Sequence, residues 1–182
     1  MKNQKKQLRR LVSQKKKKYS SETLRKLSSD LLARLEESSC FINSRYILLY
    51  YSLGDEVYTH EFIEKWSKEK CILLPVVVGE SLEIRAYTGQ KDMKAGAYGI
   101  MEPTSEKWEE LEKIELAIVP GVAFDKEHHR LGRGKGYYDK LLPLLHTYNV
   151  GICFHFQILP FLPYEAHDIL MNEVWTEDGR VE

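Results

Sequence analysis

The sequence predicts an α/β fold with three layers, in which a largely parallel sheet is flanked by helices. Short continuous apolar runs recur along the chain, at residues 46–51, 71–78 and 116–120. Such runs are typical of strands buried on both faces, as in parallel sheets. Segments of helical periodicity lie between them, and strands that alternate with helices favour this fold class. With 182 residues, the chain is expected to form a single domain over residues 1–182.

Two helices are predicted before the first strand. Residues 3–18 have a helical and strongly basic pattern. Ser20 or Ser21 offers a hydroxyl cap for a second helix, with Glu22 in its first turn. The apolar residues of this second helix recur at three- and four-residue spacing: Leu24, Leu27, Leu31 and Leu35.

A β-hairpin is predicted in the middle of the chain. Residues 82–87 alternate between apolar and polar side chains, and a turn separates them from the strand at residues 71–78. The helix before this hairpin can be capped by Thr59 or Asp55. Residues 88–105, which contain Gly89, Gly96, Gly99 and Pro103, predict a long ordered loop.

The last third of the chain predicts one helix and one strand after residues 116–120. The helix spans residues 137–146, and Pro143 should kink or shorten it because proline lacks the N–H that the helix needs. Residues 150–154 form the last predicted strand, and an irregular tail is expected after them.

Charge is unevenly distributed in a chain whose net charge is zero. Nine of the 27 Lys and Arg residues lie in residues 1–18, which contain no Asp or Glu, so 18 basic groups face 27 acidic groups elsewhere. A basic segment on an acidic body favours an anionic partner such as phosphate or nucleic acid, with a solvated helix face as the alternative. Nucleic acid is disfavoured, because no aromatic residues are interleaved with the basic ones and the acidic remainder would repel the phosphate backbone.

Cysteine usage and hydropathy predict a soluble cytoplasmic protein with no membrane partner. The chain has three cysteines, Cys40, Cys71 and Cys153, an odd number, and they are far apart in sequence. This favours a role as small core residues in a reducing compartment. The first residues lack the apolar core of a signal peptide, and the run at residues 46–51 is far shorter than the ~20 residues of a membrane helix. A monomer is expected, with a dimer as the alternative.

Residues 130–139, with the sequence Arg-Leu-Gly-Arg-Gly-Lys-Gly-Tyr-Tyr-Asp, predict a phosphate-binding loop. Glycines at alternate positions permit positive φ, so that successive N–H groups can surround an anion. Arg130, Arg133 and Lys135 add positive charge, which a polyanion would neutralise. Asp139 falls about one turn into the next helix, where a carboxylate can hold Mg²⁺ or merely complement the helix dipole. A glycine-rich turn with solvated charges is the alternative, and the Lys-Ser/Thr pair of P-loop proteins is absent.

This loop closely resembles the signature of the 5-formyltetrahydrofolate cyclo-ligase family. Residues 119–125 lead into it as in that family, and three more segments resemble family motifs in the same order. They are Lys5-Lys6-Gln7-Leu8-Arg9, residues 51–57 (Tyr-Ser-Leu-Gly-Asp-Glu-Val) and residues 97–103 (Ala-Tyr-Gly-Ile-Met-Glu-Pro). The resemblance extends from residue 5 to about residue 175.

The resemblance implies an enzyme that converts 5-formyltetrahydrofolate to 5,10-methenyltetrahydrofolate with ATP and Mg²⁺, releasing ADP and phosphate through a phosphorylated formyl intermediate. It implies ATP contacts from Lys5, Lys6, Gln7, Leu8, Arg9, Arg130, Leu131, Gly132, Arg133, Gly134, Lys135, Gly136, Tyr137 and Tyr138. It implies folate contacts from Tyr51, Glu56, Tyr98, Arg133, Gly134, Lys135, Gly136 and Tyr137. Arg133 and Lys135 would act on the transferring phosphoryl group, and Asp139 and Asp168 would bind the metal.

Three other interpretations of the sequence remain open when the residues are considered without the resemblance. The chain could be a related phosphate-binding protein without folate chemistry, a nucleic-acid-binding module that uses residues 1–18, or a structural domain that binds no nucleotide. Glu56 and Tyr98 argue against the first, because a carboxylate suits the donor-rich edge of a pterin and an aromatic ring can stack on it. Alternatively, Glu56 could simply be an acid at the start of a helix, and Tyr98 could be a loop aromatic that fills the core.

Overall fold

The computed structural model describes residues 1–166 and 168–182. The helices are α1 (Lys2–Lys16), α2 (Ser21–Glu36), α3 (Ser39–Asn43), α4 (His60–Trp66) and α5 (Tyr137–Leu141). The first six strands are β1 (Tyr46–Leu48), β2 (Cys71–Val78), β3 (Ser81–Ala86), β4 (Met93–Ala95), β5 (Met101–Pro103) and β6 (Leu116–Pro120). The others are β7 (Ala123–Asp125), β8 (Arg130–Leu131), β9 (Tyr148–Ile152), β10 (Ile158–Leu159), β11 (Glu173–Thr176) and β12 (Gly179–Arg180).

The main sheet is largely parallel, as predicted. Within the described residues its strand order is β12-β11-β9-β6-β1-β2-β3. The five strands from β11 to β2 run parallel, and β12 and β3 pair antiparallel at the two edges. The hairpin of β2 and β3 confirms the prediction for residues 71–87.

Helices cover both faces of this sheet and produce the three layers. Successive residues of a strand point to opposite faces, so Ile47 packs with α2 and α4 while Leu48 packs with α5. Both side chains are fully buried. The continuous apolar runs of the sequence therefore contain strands with two covered faces, although β1 includes only the first three residues of the run at 46–51. The predicted fold class is confirmed.

Helix α1 packs against a second, smaller sheet with the order β10-β7-β8. Val12 is buried there with Ala123 and Leu131, and Leu8 packs on the same cluster. This contact determines which residues of the basic helix can point inward.

The two predicted helix caps had different outcomes. The hydroxyl of Ser20 accepts a hydrogen bond from the Thr23 N–H at 3.1 Å, so the predicted cap of α2 is confirmed. Thr59 is the residue before α4, but its hydroxyl donates to the Tyr50 carbonyl at 2.6 Å instead of capping the helix. Asp55 does not cap α4 either; its carboxylate pairs with Lys16 and Arg133. The capping prediction for α4 was wrong because tertiary partners compete for both side chains.

Two segments predicted to be irregular contain short strands. Residues 88–105 include the antiparallel pair β4 and β5, and the tail contains β11 and β12, which complete one edge of the main sheet. These strands are two to four residues long, which is too short to produce a recognisable periodicity. Pro143 had the predicted effect: α5 ends at Leu141 and a 3₁₀ turn over Leu142–Leu144 follows. In the described residues, no helix has the length and apolar character needed to cross a membrane.

Candidate active site

A cavity of about 360 Å³ opens where strands β1 and β6 end. Tyr50 and Tyr51 follow β1, and Pro120 and Gly121 lie at the end of β6; all four line the cavity. Ligands of open α/β sheets bind beyond the carboxyl ends of parallel strands. The volume lies within the range of roughly 300–1,000 Å³ that is usual for small-molecule sites.

The loop between β8 and α5 forms one wall of the cavity. Gly134 (φ 93°) and Gly136 (φ 72°) adopt the left-handed conformation that the alternating glycines predicted. Gly132 contributes differently: a Cβ there would lie 2.8 Å from Arg130 Nη1, so a larger residue would require the Arg130 side chain to shift. Helix α5 has only five residues, so it contributes less positive potential than a helix over residues 137–146 would. The positive charge on this wall therefore comes mainly from the loop's cations, Arg130, Arg133 and Lys135.

Arg130 is the most enclosed cation of this loop. Its side chain is 8% exposed, and Nη2 donates to Asp139 Oδ1 at 2.7 Å. Nη1 donates to the Pro120 carbonyl at 3.3 Å, and the guanidinium lies 5.4 Å from the centre of the Tyr138 ring. Arg130 thus links the end of β6 to the first turn of α5.

Helix α1 sends two cations into the same cavity. Lys5 Nζ pairs with Asp168 Oδ2 at 3.1 Å, and Arg9 Nε donates to the Gly132 carbonyl at 2.8 Å. Burial lowers the pKa of Arg9, and the nearby Asp139 charge partly opposes this effect. Lys5 and Arg9 point inward because the apolar face of α1 packs against the small sheet. Fewer basic groups of α1 are therefore left to form a nucleic-acid-binding surface.

The other residues of the Lys5–Arg9 segment do not line the cavity. Lys6 and Gln7 are exposed, and Leu8 packs against the cluster around Val12. A helical spacing of four places Lys5 and Arg9 on one face, and only that face meets the cavity.

Arg133 is held by two acids from the segment after β1. Its Nη2 donates to Asp55 Oδ1 at 2.7 Å and to Glu56 Oε1 at 2.9 Å, and its Nε donates to Glu56 Oε1 at 3.1 Å. Burial alone would lower the pKa of Arg133, but the charges and hydrogen bonds of Glu56 and Asp55 raise it overall. The second oxygen of Glu56 accepts a hydrogen bond from the Leu53 N–H at 2.9 Å.

Lys135 and two tyrosines meet at the mouth of the cavity. Lys135 Nζ lies 5.5 Å from the centre of the Tyr98 ring, and the hydroxyls of Tyr98 and Tyr137 are 3.3 Å apart. Tyr98 is exposed and has a positive φ of 57° in the turn between β4 and β5. The hydrogen bond with Tyr137 and the charge of Lys135 lower the pKa of Tyr98.

Tyr51 lines the cavity next to His60 of α4. Their rings are stacked with centroids 3.7 Å apart, and the His60 ring nitrogen Nε2 lies 2.9 Å from the Ser52 carbonyl. Burial lowers the pKa of His60, which favours the neutral imidazole.

Several lining residues were missed by sequence reasoning. Glu102 is only 4% exposed, and its Oε1 accepts a hydrogen bond from the Val77 N–H at 3.0 Å. It lies within the matched segment 97–103, which was the available signal. The rest of the wall is formed by residues whose types cannot be distinguished in the sequence from ordinary core residues. They are Tyr50, Leu53, Pro75, Val77, Leu82 and Ile100.

Two carboxylates of the cavity could hold a cation. Asp139 and Asp168 both line it, on α5 and on the segment before β11. Each is now paired with a basic side chain, Asp139 with Arg130 and Asp168 with Lys5. Carboxylate oxygens of this kind suit Mg²⁺, which is usually held by one or two carboxylates together with substrate phosphates.

Comparison with known proteins identifies the family. The family model of 5-formyltetrahydrofolate cyclo-ligases matches residues 1–177. The chain belongs to the 5-formyltetrahydrofolate cyclo-ligase family. It is therefore an enzyme of a ligase family, and the resemblance drawn from residues 130–139 is confirmed.

Relatives and solved structures agree with this assignment. The enzyme is 30% identical to a 5-formyltetrahydrofolate cyclo-ligase of Mus musculus over 75% of each chain. It is 31% identical to that of Haemophilus influenzae, over 70% of this chain and 73% of the relative. The structure of 5,10-methenyltetrahydrofolate synthetase from Aquifex aeolicus superposes with a TM-score of 0.87 at 36% identity, covering 97% of this chain and 91% of that one.

Proposed function

We propose that this enzyme cyclises 5-formyltetrahydrofolate to 5,10-methenyltetrahydrofolate, using ATP and Mg²⁺ and releasing ADP and phosphate. The observation that supports it best is the convergence of five basic side chains on one cavity that also contains Glu56 and Tyr98. The five are Lys5, Arg9, Arg130, Arg133 and Lys135. Such a concentration of positive charge suits a triphosphate, and the carboxylate and aromatic ring suit a pterin.

The phosphates of ATP would lie along the loop from Arg130 to Tyr138. Gly134 and Gly136 allow its N–H groups to face an anion, and α1 contributes Lys5 and Arg9, of which Arg9 lies against the loop at Gly132. Of the remaining residues assigned to ATP, Lys6 and Gln7 are solvent-exposed and Leu8 is a packing residue. We therefore limit the contribution of this segment to Lys5 and Arg9.

The folate would lie between the end of β1 and the turn of β4 and β5. Glu56 would accept hydrogen bonds from the donor-rich edge of the pterin, and Tyr51 and Tyr98 would contact its ring. Tyr98 projects into the mouth of the cavity within reach of Tyr137 and Lys135. The reacting ends of the two substrates would thus meet beside residues 133–137.

Asp139 and Asp168 would hold Mg²⁺, which when bound would neutralise phosphate charge and orient the transferring group. Both are oxygen donors on the same cavity. Arg130 and Lys5, which pair with these carboxylates, are themselves cations that would turn to the phosphates, so each carboxylate would exchange one positive neighbour for another.

The reaction would have two steps. The formyl oxygen attacks the γ-phosphorus, the bond to the bridging oxygen breaks, and ADP leaves with the electron pair. N10 then attacks the activated carbon, the carbon–oxygen bond breaks, phosphate leaves, and N10 loses its proton. Arg133 and Lys135 would stabilise the charge that develops on the transferring phosphoryl group, and catalysis would rest on positioning and charge neutralisation.

An absorbance assay tests this function. Purified protein is mixed with 5-formyltetrahydrofolate, ATP and Mg²⁺, and methenyltetrahydrofolate is followed in the near ultraviolet. Product that forms only when ATP and Mg²⁺ are both present supports the proposal. Lack of product, while ATP still raises the melting temperature, would retain a nucleotide site and reject the folate reaction. The cytoplasmic location, the monomeric state and the single domain remain predictions.

A further inference from the structure

Arg133 and Glu56 form an ion pair within the cavity. Two of the three hydrogen bonds of Arg133 go to Glu56 Oε1, and the other oxygen, Oε2, accepts from the Leu53 N–H. A carboxylate accepts a paired donor edge with both of its oxygens. Glu56 therefore cannot receive a pterin edge in this way while Arg133 remains on Oε1.

Asp55 holds the same guanidinium from a position outside the cavity. It accepts from Arg133 Nη2 at 2.7 Å and pairs with Lys16 of α1 at 3.3 Å. Among the described residues, Asp55 is not part of the cavity wall, whereas Glu56 and Arg133 both are. Asp55 would thus compete with a phosphate for Arg133 from outside the cavity wall.

We propose that Arg133 moves from these two acids to the phosphates when ATP binds, so that ATP and the folate substrate strengthen each other's binding. Asp55 is the positioning residue that sets the strength of this coupling. The proposal rests on the proposed function. ATP would draw Arg133 away and free Glu56 for the folate. By linkage, a folate on Glu56 frees Arg133 for ATP by the same factor.

The coupling is measurable in the unmodified enzyme. Titration calorimetry gives the Kd of the β,γ-imido analogue of ATP with Mg²⁺, first alone and then with saturating 5-formyltetrahydrofolate. The reciprocal titration gives the Kd of the folate. We expect each ligand to lower the Kd of the other by about 5-fold or more, the lower end of typical coupling between sites.

Asp55→Asn tests the positioning role. Removing this charge weakens the hold on Arg133, so the ATP analogue alone should bind more tightly than to the wild type, by about 3-fold, and the coupling factor should fall. Asp30→Asn removes an exposed acid of α2 and serves as the charge-matched control. Lys16→Met removes the other partner of Asp55 while leaving the Asp55–Arg133 pair, so its coupling factor should equal or exceed that of the wild type.

Each outcome decides a different point. If both ligands bind and neither changes the Kd of the other, the coupling is wrong while the proposed function stands. If either ligand fails to bind, the proposed function falls and the coupling with it. Equal losses of coupling in Asp55→Asn and Lys16→Met would assign the effect to the Lys16–Asp55 ion pair with α1, and would overturn the role of Asp55 in holding Arg133. The wild-type titrations test the coupling even if a variant proves unstable.

Discussion

Lys135→Ala should separate catalysis from stability more cleanly than any other change in the phosphate loop. In the described structure Lys135 forms no ion pair, and its ammonium group faces the ring of the exposed Tyr98 at 5.5 Å. Arg130, by contrast, is 8% exposed and bound to Asp139. Loss of Lys135 therefore removes charge from the cavity without removing a packed or paired group.

The expected effects of Lys135→Ala on stability and on catalysis differ greatly in size. Surface substitutions of this kind change stability little, so we expect the melting temperature to shift by no more than about 2 °C. Removal of one preorganised group that stabilises transition-state charge typically costs ~2.7–4 kcal/mol. At ~1.4 kcal/mol for each factor of ten, kcat/KM should fall by about 10²–10³-fold.

The methenyltetrahydrofolate assay measures this loss, and thermal unfolding measures the stability. Lys140→Ala is the matched control, since Lys140 is exposed on α5 and points to Glu80, away from the cavity. Wild-type kcat/KM in folded Lys135→Ala would refute its assigned role. A similar loss in both variants would also refute it, because the effect would then be that of net charge alone.

Three further predictions concern the cavity and the core. Glu56→Gln should raise the KM for folate far more than that for ATP, because the amide offers one acceptor to a two-donor edge; equal increases would exclude the pterin contact. Gly151→Ala places a Cβ 2.4 Å from the Phe124 ring, so the free energy of unfolding should fall by about 3 kcal/mol and partly recover with Phe124→Leu added; urea titrations showing additive losses would contradict this. Burial raises the pKa of the Cys153 thiol, so iodoacetamide should modify Cys40 well before Cys153, and equal rates in peptide mass spectrometry would argue against that burial.

Local patterns allowed much of the fold to be predicted. The periodicity of Leu24, Leu31 and Leu35 corresponds to the buried face of α2, and the apolar runs correspond to β1, β2 and β6. Strands of two to four residues, such as β11 and β12, have no such pattern. They form because each has an edge to pair with: β11 pairs with β9, and β12 pairs with β11.

The residues of the candidate site were largely visible in the sequence, because glycines and cations at close spacing mark residues 130–139 without any tertiary information. Their pairing was not visible. Lys5 meets Asp168 across 163 positions, and Arg133 meets Glu56 across 77. Local sequence patterns were therefore sufficient to predict which functional groups are available and the fold class that holds them. Only the packing of distant elements determines that Lys5 pairs with Asp168 and that Asp55 and Glu56 hold Arg133, because such contacts leave no local trace in the sequence.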